Sequence, residues 1–143
     1  MATTRLNPYI SFRDEARAAM EFYESVFGGE LTISTFADLG GARDPADADK
    51  VMHSQLVATN GILLMAADTP SHMDYQDGSR ISISLSGDDE GTLRGYWDKL
   101  SAGGNVMVPL EKAPWGDLFG MCADRFGVAW LVNIDMSGAG AGG

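Results

Sequence analysis

One cysteine, Cys122, stands in 143 residues, so no intrachain disulfide can form. That scarcity fits a reducing compartment, and a cytoplasmic location is expected. Basic residues are few: ten Lys and Arg face twenty Asp and Glu, for a net charge of −10. Nucleic acid and anionic membranes would be repelled, so neither is an expected partner. The plain meaning of the charge is a solubilising acidic surface. No apolar run approaches the ~20 residues that a membrane-spanning helix needs. Met1 to Arg5 lead into strand-like sequence rather than an apolar signal region. Ser137 to Gly143 offer only serine, alanine and glycine, which bury nothing and predict a flexible tail.

What is present is one phrase written twice. Phe22-Tyr23-Glu24-Ser25-Val26-Phe27-Gly28-Gly29-Glu30-Leu31 reads as an aromatic helix end, a Gly-Gly stop and a strand. Tyr96-Trp97-Asp98-Lys99-Leu100-Ser101-Ala102-Gly103-Gly104-Asn105-Val106 repeats it with one residue inserted. A second echo follows each copy. Asn60-Gly61 leads into Ile62 to Ala67, and Phe126-Gly127 leads into Val128 to Val132. An internal repeat constrains the whole fold and suggests two copies of one supersecondary unit.

Periodicity fills in the unit. Leu6 to Phe12 alternates as a strand, with Asn7, Tyr9 and Ser11 opposite Pro8, Ile10 and Phe12. A helix opens at Arg13 or Asp14 and carries Ala16, Ala19, Met20, Tyr23 and Phe27 on one stripe. Strands follow over Leu31 to Phe36, Val51 to Ala58 and Ile62 to Ala67, the last two joined by a tight Asn60-Gly61 turn. Ala37 to Lys50 is a loop fit for a lid, a dimer contact or simple mobility. Asp68 to Ser79 is a polar linker. In the second copy, Ile81, Ile83 and Leu85 alternate with Ser82, Ser84 and Ser86. A helix from about Asp88 to Ala102 presents Leu93, Tyr96, Trp97 and Leu100. Val106 to Leu110, Leu118 to Ala123 and Val128 to Ile134 complete the copy. The predicted fold is α+β: two β-α-β-β-β modules, about residues 6–68 and 79–135, in one domain spanning 1–136. A pseudo-twofold would relate them, giving a curved, trough-like mixed sheet with the helices on its convex side.

The pattern resembles the glyoxalase/bleomycin-resistance/extradiol-dioxygenase superfamily, the vicinal oxygen chelate proteins, and within it the PhnB-like group. The resemblance runs from about residue 7 to 134. It rests on Pro8-Tyr9-Ile10-Ser11-Phe12, Ala18-Ala19-Met20-Glu21-Phe22-Tyr23, Val26-Phe27-Gly28-Gly29, Lys50-Val51-Met52-His53, Trp115-Gly116, Phe119-Gly120-Met121 and Asp124-Arg125-Phe126-Gly127-Val128. Metalloenzymes of the superfamily place His and Glu ligands on four strands. By strand order those places fall here on Asn7, an apolar residue among Leu63, Leu64 and Met65, then Ser82 and Leu131. None suits a divalent ion. The resemblance therefore implies neither a metal nor another cofactor, and argues against glyoxalase or ring-cleaving chemistry, which need the ion. Some PhnB-like proteins carry a ubiquinone methyltransferase label, but no Gly-rich nucleotide loop follows a first strand here.

His53 shares a strand face with Val51, Gln55 and Val57, provided Met52 and Leu56 pack on the helix. A lone strand histidine is more often structural than catalytic, yet an imidazole suits acid–base work. Eight positions before Gly61 lies His53, and eight before Gly127 lies Phe119. Both should then face one concave surface, with Trp115 at its rim. Expected ligand-binding residues are His53, Gln55, Met65, Ser82, Ser84, Trp115, Phe119 and Met121. Asp68 could cap or bind. Arg125 reads as structural, pairing with a carboxylate, Cys122 as a buried inert thiol, and His72 as a solvated loop residue; Arg80 has no assigned role. The favoured function is a small-molecule-binding protein, a homodimer that takes a small organic ligand. The alternative is a metal-independent isomerase or lyase with His53 as general base.

Overall fold

The computed structural model describes residues 7–38, 44–58, 61–71 and 81–136. The chain divides into two compact units, Met1–Asp77 and Gly78–Gly143. In the first run β1 (Tyr9–Phe12), α1 (Ala16–Phe27), β2 (Glu30–Thr35), β3 (Val51–Val57) and β4 (Leu63–Asp68). In the second run β5 (Ile83–Gly87), α2 (Glu90–Ser101), β6 (Asn105–Lys112), β7 (Leu118–Ala123) and β8 (Ala129–Ile134). This is the predicted α+β architecture of two β-α-β-β-β modules. Each unit holds one four-stranded sheet, in the orders β1-β4-β3-β2 and β5-β8-β7-β6. The first strand of each unit pairs in parallel with the last, and the other pairings are antiparallel.

One face of each sheet is covered by its own helix. The α1 stripe of Ala16, Ala19, Met20, Tyr23, Val26 and Phe27 is buried, along with Phe12, Leu56, Leu64 and Ala66 of the sheet. The 3.6-residue spacing of those apolar positions is what makes a single buried face. In the second unit Leu93, Trp97 and Leu100 of α2 are buried along with Cys122, Trp130, Val132 and Ile134. Tyr96, expected on that stripe, is only half-buried.

The two helices start differently. Asp89 caps α2 locally, its carboxylate accepting from the Thr92 amide at 3.1 Å. That bond holds the Asp89 carboxyl below the usual range. At α1 the preceding Glu15 gives no side-chain cap. Instead the buried Asp68, at the end of β4, accepts from the amides of Ala16 at 2.8 Å and Val51 at 2.9 Å. Asp68 is thus a structural cap from 52 positions away, and one carboxylate ties the helix start to the β3 start.

Two sequence expectations need correction. Met52 does not pack under the helix with Leu56. Ser34 stands opposite His53 while Thr35 stands opposite Val51, so Met52 is an extra residue in a bulge. The bulge inverts the alternation at its end of the strand: Val51 is 1% exposed in the core and Met52 is 44% exposed. Ile81 likewise is not a core residue. It precedes β5 and is 83% exposed, leaving Ile83 and Leu85 as the half-buried residues.

The paired glycines make two different contributions. Gly28 (φ 74°) and Gly103 (φ 78°) take positive φ values, open readily only to glycine, where the chain turns out of each helix. Gly29 and Gly104 instead admit a neighbouring backbone: a Cβ at Gly29 would overlap the Val57 carbonyl oxygen, and one at Gly104 the Ala123 carbonyl oxygen. The sequence echo is therefore a packing requirement met twice.

Part of the predicted 37–50 loop is structured. A 3-10 turn at Pro45–Asp47 is held where the buried Asp47 accepts from the Ser71 amide at 3.0 Å and its hydroxyl at 2.9 Å. Lys50 Nζ lies 3.6 Å from Asp47 and donates to the Thr69 carbonyl at 2.8 Å. The Ser71 amide, chiefly, holds the Asp47 carboxyl below its ordinary range. Residues 39–43, Asn60 of the expected turn, the linker 72–80 with His72 and Arg80, and the 137–143 tail lie outside the described residues. Among the described residues no helix is long and apolar enough to cross a membrane.

Candidate functional site

Each sheet has a second face that its helix leaves uncovered. In the first unit this face follows from the register. Leu56 lies against the core, so Gln55 and Val57 point away from it. Thr32 stands opposite Gln55, Ser34 opposite His53, and Met65 opposite Gln55. Parallel pairing brings Tyr9 beside Met65. The open face of this unit thus gathers His53, Gln55, Met65, Tyr9, Thr32 and Ser34. Tyr9 is 52% exposed, and its ring centroid lies 6.1 Å from that of His53, tilted by 33°.

The open face of the second unit is built in the same register. Met121 stands opposite Leu131, Phe119 opposite Asn133, and Ser84 and Ser86 beside Leu131 and Asn133. Gln55–Met65 and Met121–Leu131 are corresponding pairs, because Met65 and Leu131 each lie four residues after their turn glycines, Gly61 and Gly127. Ser82 precedes β5 and is half-buried. Trp115 lies in the turn before β7 and is 60% exposed. Its indole Nε1 donates to Asn133 Oδ1 at 3.3 Å, and Asn133 Nδ2 donates to Asp117 Oδ2 at 3.1 Å. Asp117 Oδ1 in turn accepts from the Met136 amide at 3.1 Å. The Trp115 and Phe119 rings meet edge to face, centroids 5.4 Å apart at 67°.

All eight residues singled out from the sequence are thereby located. His53, Gln55 and Met65 share the uncovered face of the first sheet. Ser84, Phe119 and Met121 share that of the second, with Trp115 seated against Phe119 and Ser82 beside the strand start. Sequence reasoning missed Tyr9 and the Asn133–Asp117 pair. The signal for Asn133 was one polar residue in the apolar run Val128 to Ile134. For Tyr9 the alternation was legible, but the parallel partner strand was not.

Other polar groups are structural. Asp124 is buried and accepts from the amides of Phe126 at 2.8 Å and Val128 at 3.1 Å and from Trp130 Nε1 at 2.9 Å. Arg125 donates to the Ala102 carbonyl at 3.1 Å, closing the α2 end, where a cation is favoured. Cys122 is fully buried, and burial, helped by the Asp124 charge, pushes its thiol up to about 11.

Met65 and Leu131, among the places that the resemblance matches to metal-ligand positions, carry a thioether and a hydrocarbon rather than imidazole or carboxylate. Among the described residues no group of three or more His, Cys, Asp or Glu is placed to hold an ion.

Two β-α-β-β-β units, each with a helix on one sheet face and a mixed polar–apolar opposite face, define a paired-module α+β protein. The chain belongs to the Glyoxalase/Bleomycin resistance protein/Dioxygenase superfamily, whose family model matches residues 5–132. It is similar to the crystal structure of protein PA1353 from Pseudomonas aeruginosa, at 36% identity and a TM-score of 0.81, covering 93% of this chain and 98% of that one. The PhnB protein from Bacillus cereus shares the fold at 23% identity and a TM-score of 0.74, covering 92% of this chain and 100% of that one. Protein YjdN of Escherichia coli is 24% identical over 140 residues, covering 90% of this chain and 94% of its own.

Proposed function

We propose that the protein binds a small organic molecule on its open sheet faces, without a metal. The observation that carries this reading is the make-up of those faces. In the second unit Phe119, Met121, Leu131 and Trp115 supply apolar and aromatic surface beside the polar Ser84 and Asn133, and the first unit by itself sets His53 and Gln55 beside Tyr9 and Met65. That mixture suits a ligand with an apolar body and a small number of polar substituents. Superfamily membership supports it. The chemistry of Asn7, Met65, Ser82 and Leu131 speaks for binding without a bound ion.

The test is a ligand-observed NMR screen of small heterocycles against the full chain, repeated with His53→Ala and Phe119→Ala. Hits weakened by either variant, with the fold retained by circular dichroism, support the reading. Hits indifferent to both variants count against it.

A second reading is a metal-independent isomerase or lyase with His53 as general base. The observation that favours it is the place of His53 on the open face of the first sheet, half-buried with the Tyr9 ring beside it, centroids 6.1 Å apart. Loss of a detected turnover in His53→Gln, with ligand binding retained, would raise this reading above the first. We further propose a cytoplasmic homodimer. Edge strand β6 carries Val106, Met107 and Val108 exposed in succession, and an apolar edge of this kind is usually covered. Light scattering at micromolar concentration tests the mass.

A further inference from the structure

We infer that the open face of the second unit selects a planar aromatic cation, with Trp115 and Phe119 as its π surfaces and Glu111 as its counter-charge. The inference rests on the small-molecule reading and names the ligand class.

Trp115 combines exposure with a fixed position. Its indole is 60% exposed, yet it is held by the hydrogen bond to Asn133 and the edge contact with Phe119. Asn133 is itself held by Asp117. An exposed aromatic kept in place by two neighbours loses little freedom when a ligand stacks on it. Indole is also the side chain whose ring face attracts cations most strongly, at distances within about 6 Å of the centroid.

The charge comes from the next strand. Glu111 of β6 stands opposite Phe119 of β7, so both side chains rise from the same face. Glu111 is exposed, and among the described residues nothing pairs with its carboxylate. Lys112 stands opposite Leu118, which alternation puts on the other face. Asp117 adds a second negative charge, its oxygens engaged by Asn133 and the Met136 amide. An aromatic anion would meet both carboxylates. A neutral ring would gain only the stacking.

Isothermal titration of the full chain at low salt and about pH 8 tests this, with N-methylquinolinium, quinoline (neutral there) and naphthalene-2-sulfonate as probes of matched shape. The cation should bind roughly tenfold tighter than quinoline, with the sulfonate weakest. Glu111→Gln should remove most of that preference and leave quinoline unchanged. Trp115→Ala should weaken cation and quinoline alike. Glu21→Gln, the same charge change on exposed α1 surface, should leave the preference intact. Equal affinity for cation and quinoline, or equal effects of Glu111→Gln and Glu21→Gln, would overturn the inference while the small-molecule reading stands. No heat with any probe at millimolar concentration, together with an empty NMR screen, would overturn both.

Discussion

Gly29 and Gly104 hold equivalent places: each lies against the carbonyl that ends the third strand of its own unit, Val57 in one and Ala123 in the other. Gly29→Ala should cost about 3 kcal/mol, combining backbone overlap with a positive φ of 101°. Gly104→Ala should cost about 2 kcal/mol from overlap alone. At Gly28 a Cβ meets nothing within 4 Å, so alanine should cost about 1–3 kcal/mol for its conformation alone, a φ of 74° with a ψ of −172°. Denaturant unfolding ranks the three, and a Gly104→Ala variant as stable as the parent would contradict the packing account.

Asp68 is expected to be among the most sensitive polar positions. Asp68→Ala strands the buried amides of Ala16 and Val51 and should cost about 2–4 kcal/mol. Asp68→Asn should also destabilise, because its amide nitrogen faces one of two donors. Equal melting temperatures for the parent and both variants would show that water satisfies those amides.

Acid stability should depend on Asp47 and Asp89. Both carboxyls are held below the ordinary carboxylate range, chiefly by the Ser71 and Thr92 amides respectively. A lowered folded pKa means that the charged form favours the fold. Their contribution is complete above the unfolded pKa and fades as pH falls through the folded value. Asp47→Asn and Asp89→Asn should therefore melt below the parent at pH about 5 and converge with it in stronger acid. A gap that widens on acidification would reverse the assigned sign.

Cys122 should resist thiol reagents in the native state. With the thiol pushed up to about 11 and fully buried, labelling at pH about 8 should follow global unfolding. Rapid stoichiometric labelling of the folded chain would show an opening that the β7–β8 pairing does not suggest.

Element order was legible because the apolar spacing switches between two and 3.6 residues at the right places, and the Gly-Gly echo marks the same turn twice. The inward set of α1 followed from period alone. Met52 escaped because a bulge adds one residue without a local mark such as glycine, and alternation has no memory beyond it. Ile81 escaped because an apolar residue just outside a strand scans like one within it. The Tyr9–His53 neighbourhood needs the parallel β1–β4 pairing, a contact between distant segments that no local pattern carries. Trp115 and Phe119 were found by type and spacing, whereas the Asn133–Asp117 support behind them is a matter of three-dimensional approach.

Trp97, Trp115 and Trp130 are the chain's three tryptophans, and all fall in the second unit. The molecule is therefore spectroscopically lopsided. Indole emission follows the loosening of α2 and β8 around Trp97 and Trp130, while the first unit, which holds Tyr9, Tyr23 and Tyr75 but no indole, contributes nothing to it. Far-UV circular dichroism sees both units at once. Overlaying the two signals through a single denaturant titration asks, without labels or fragments, whether the duplicated halves melt as one cooperative body. Coincident curves mean shared cooperativity. A dichroism transition without an emission change would mark the first half as the weaker partner.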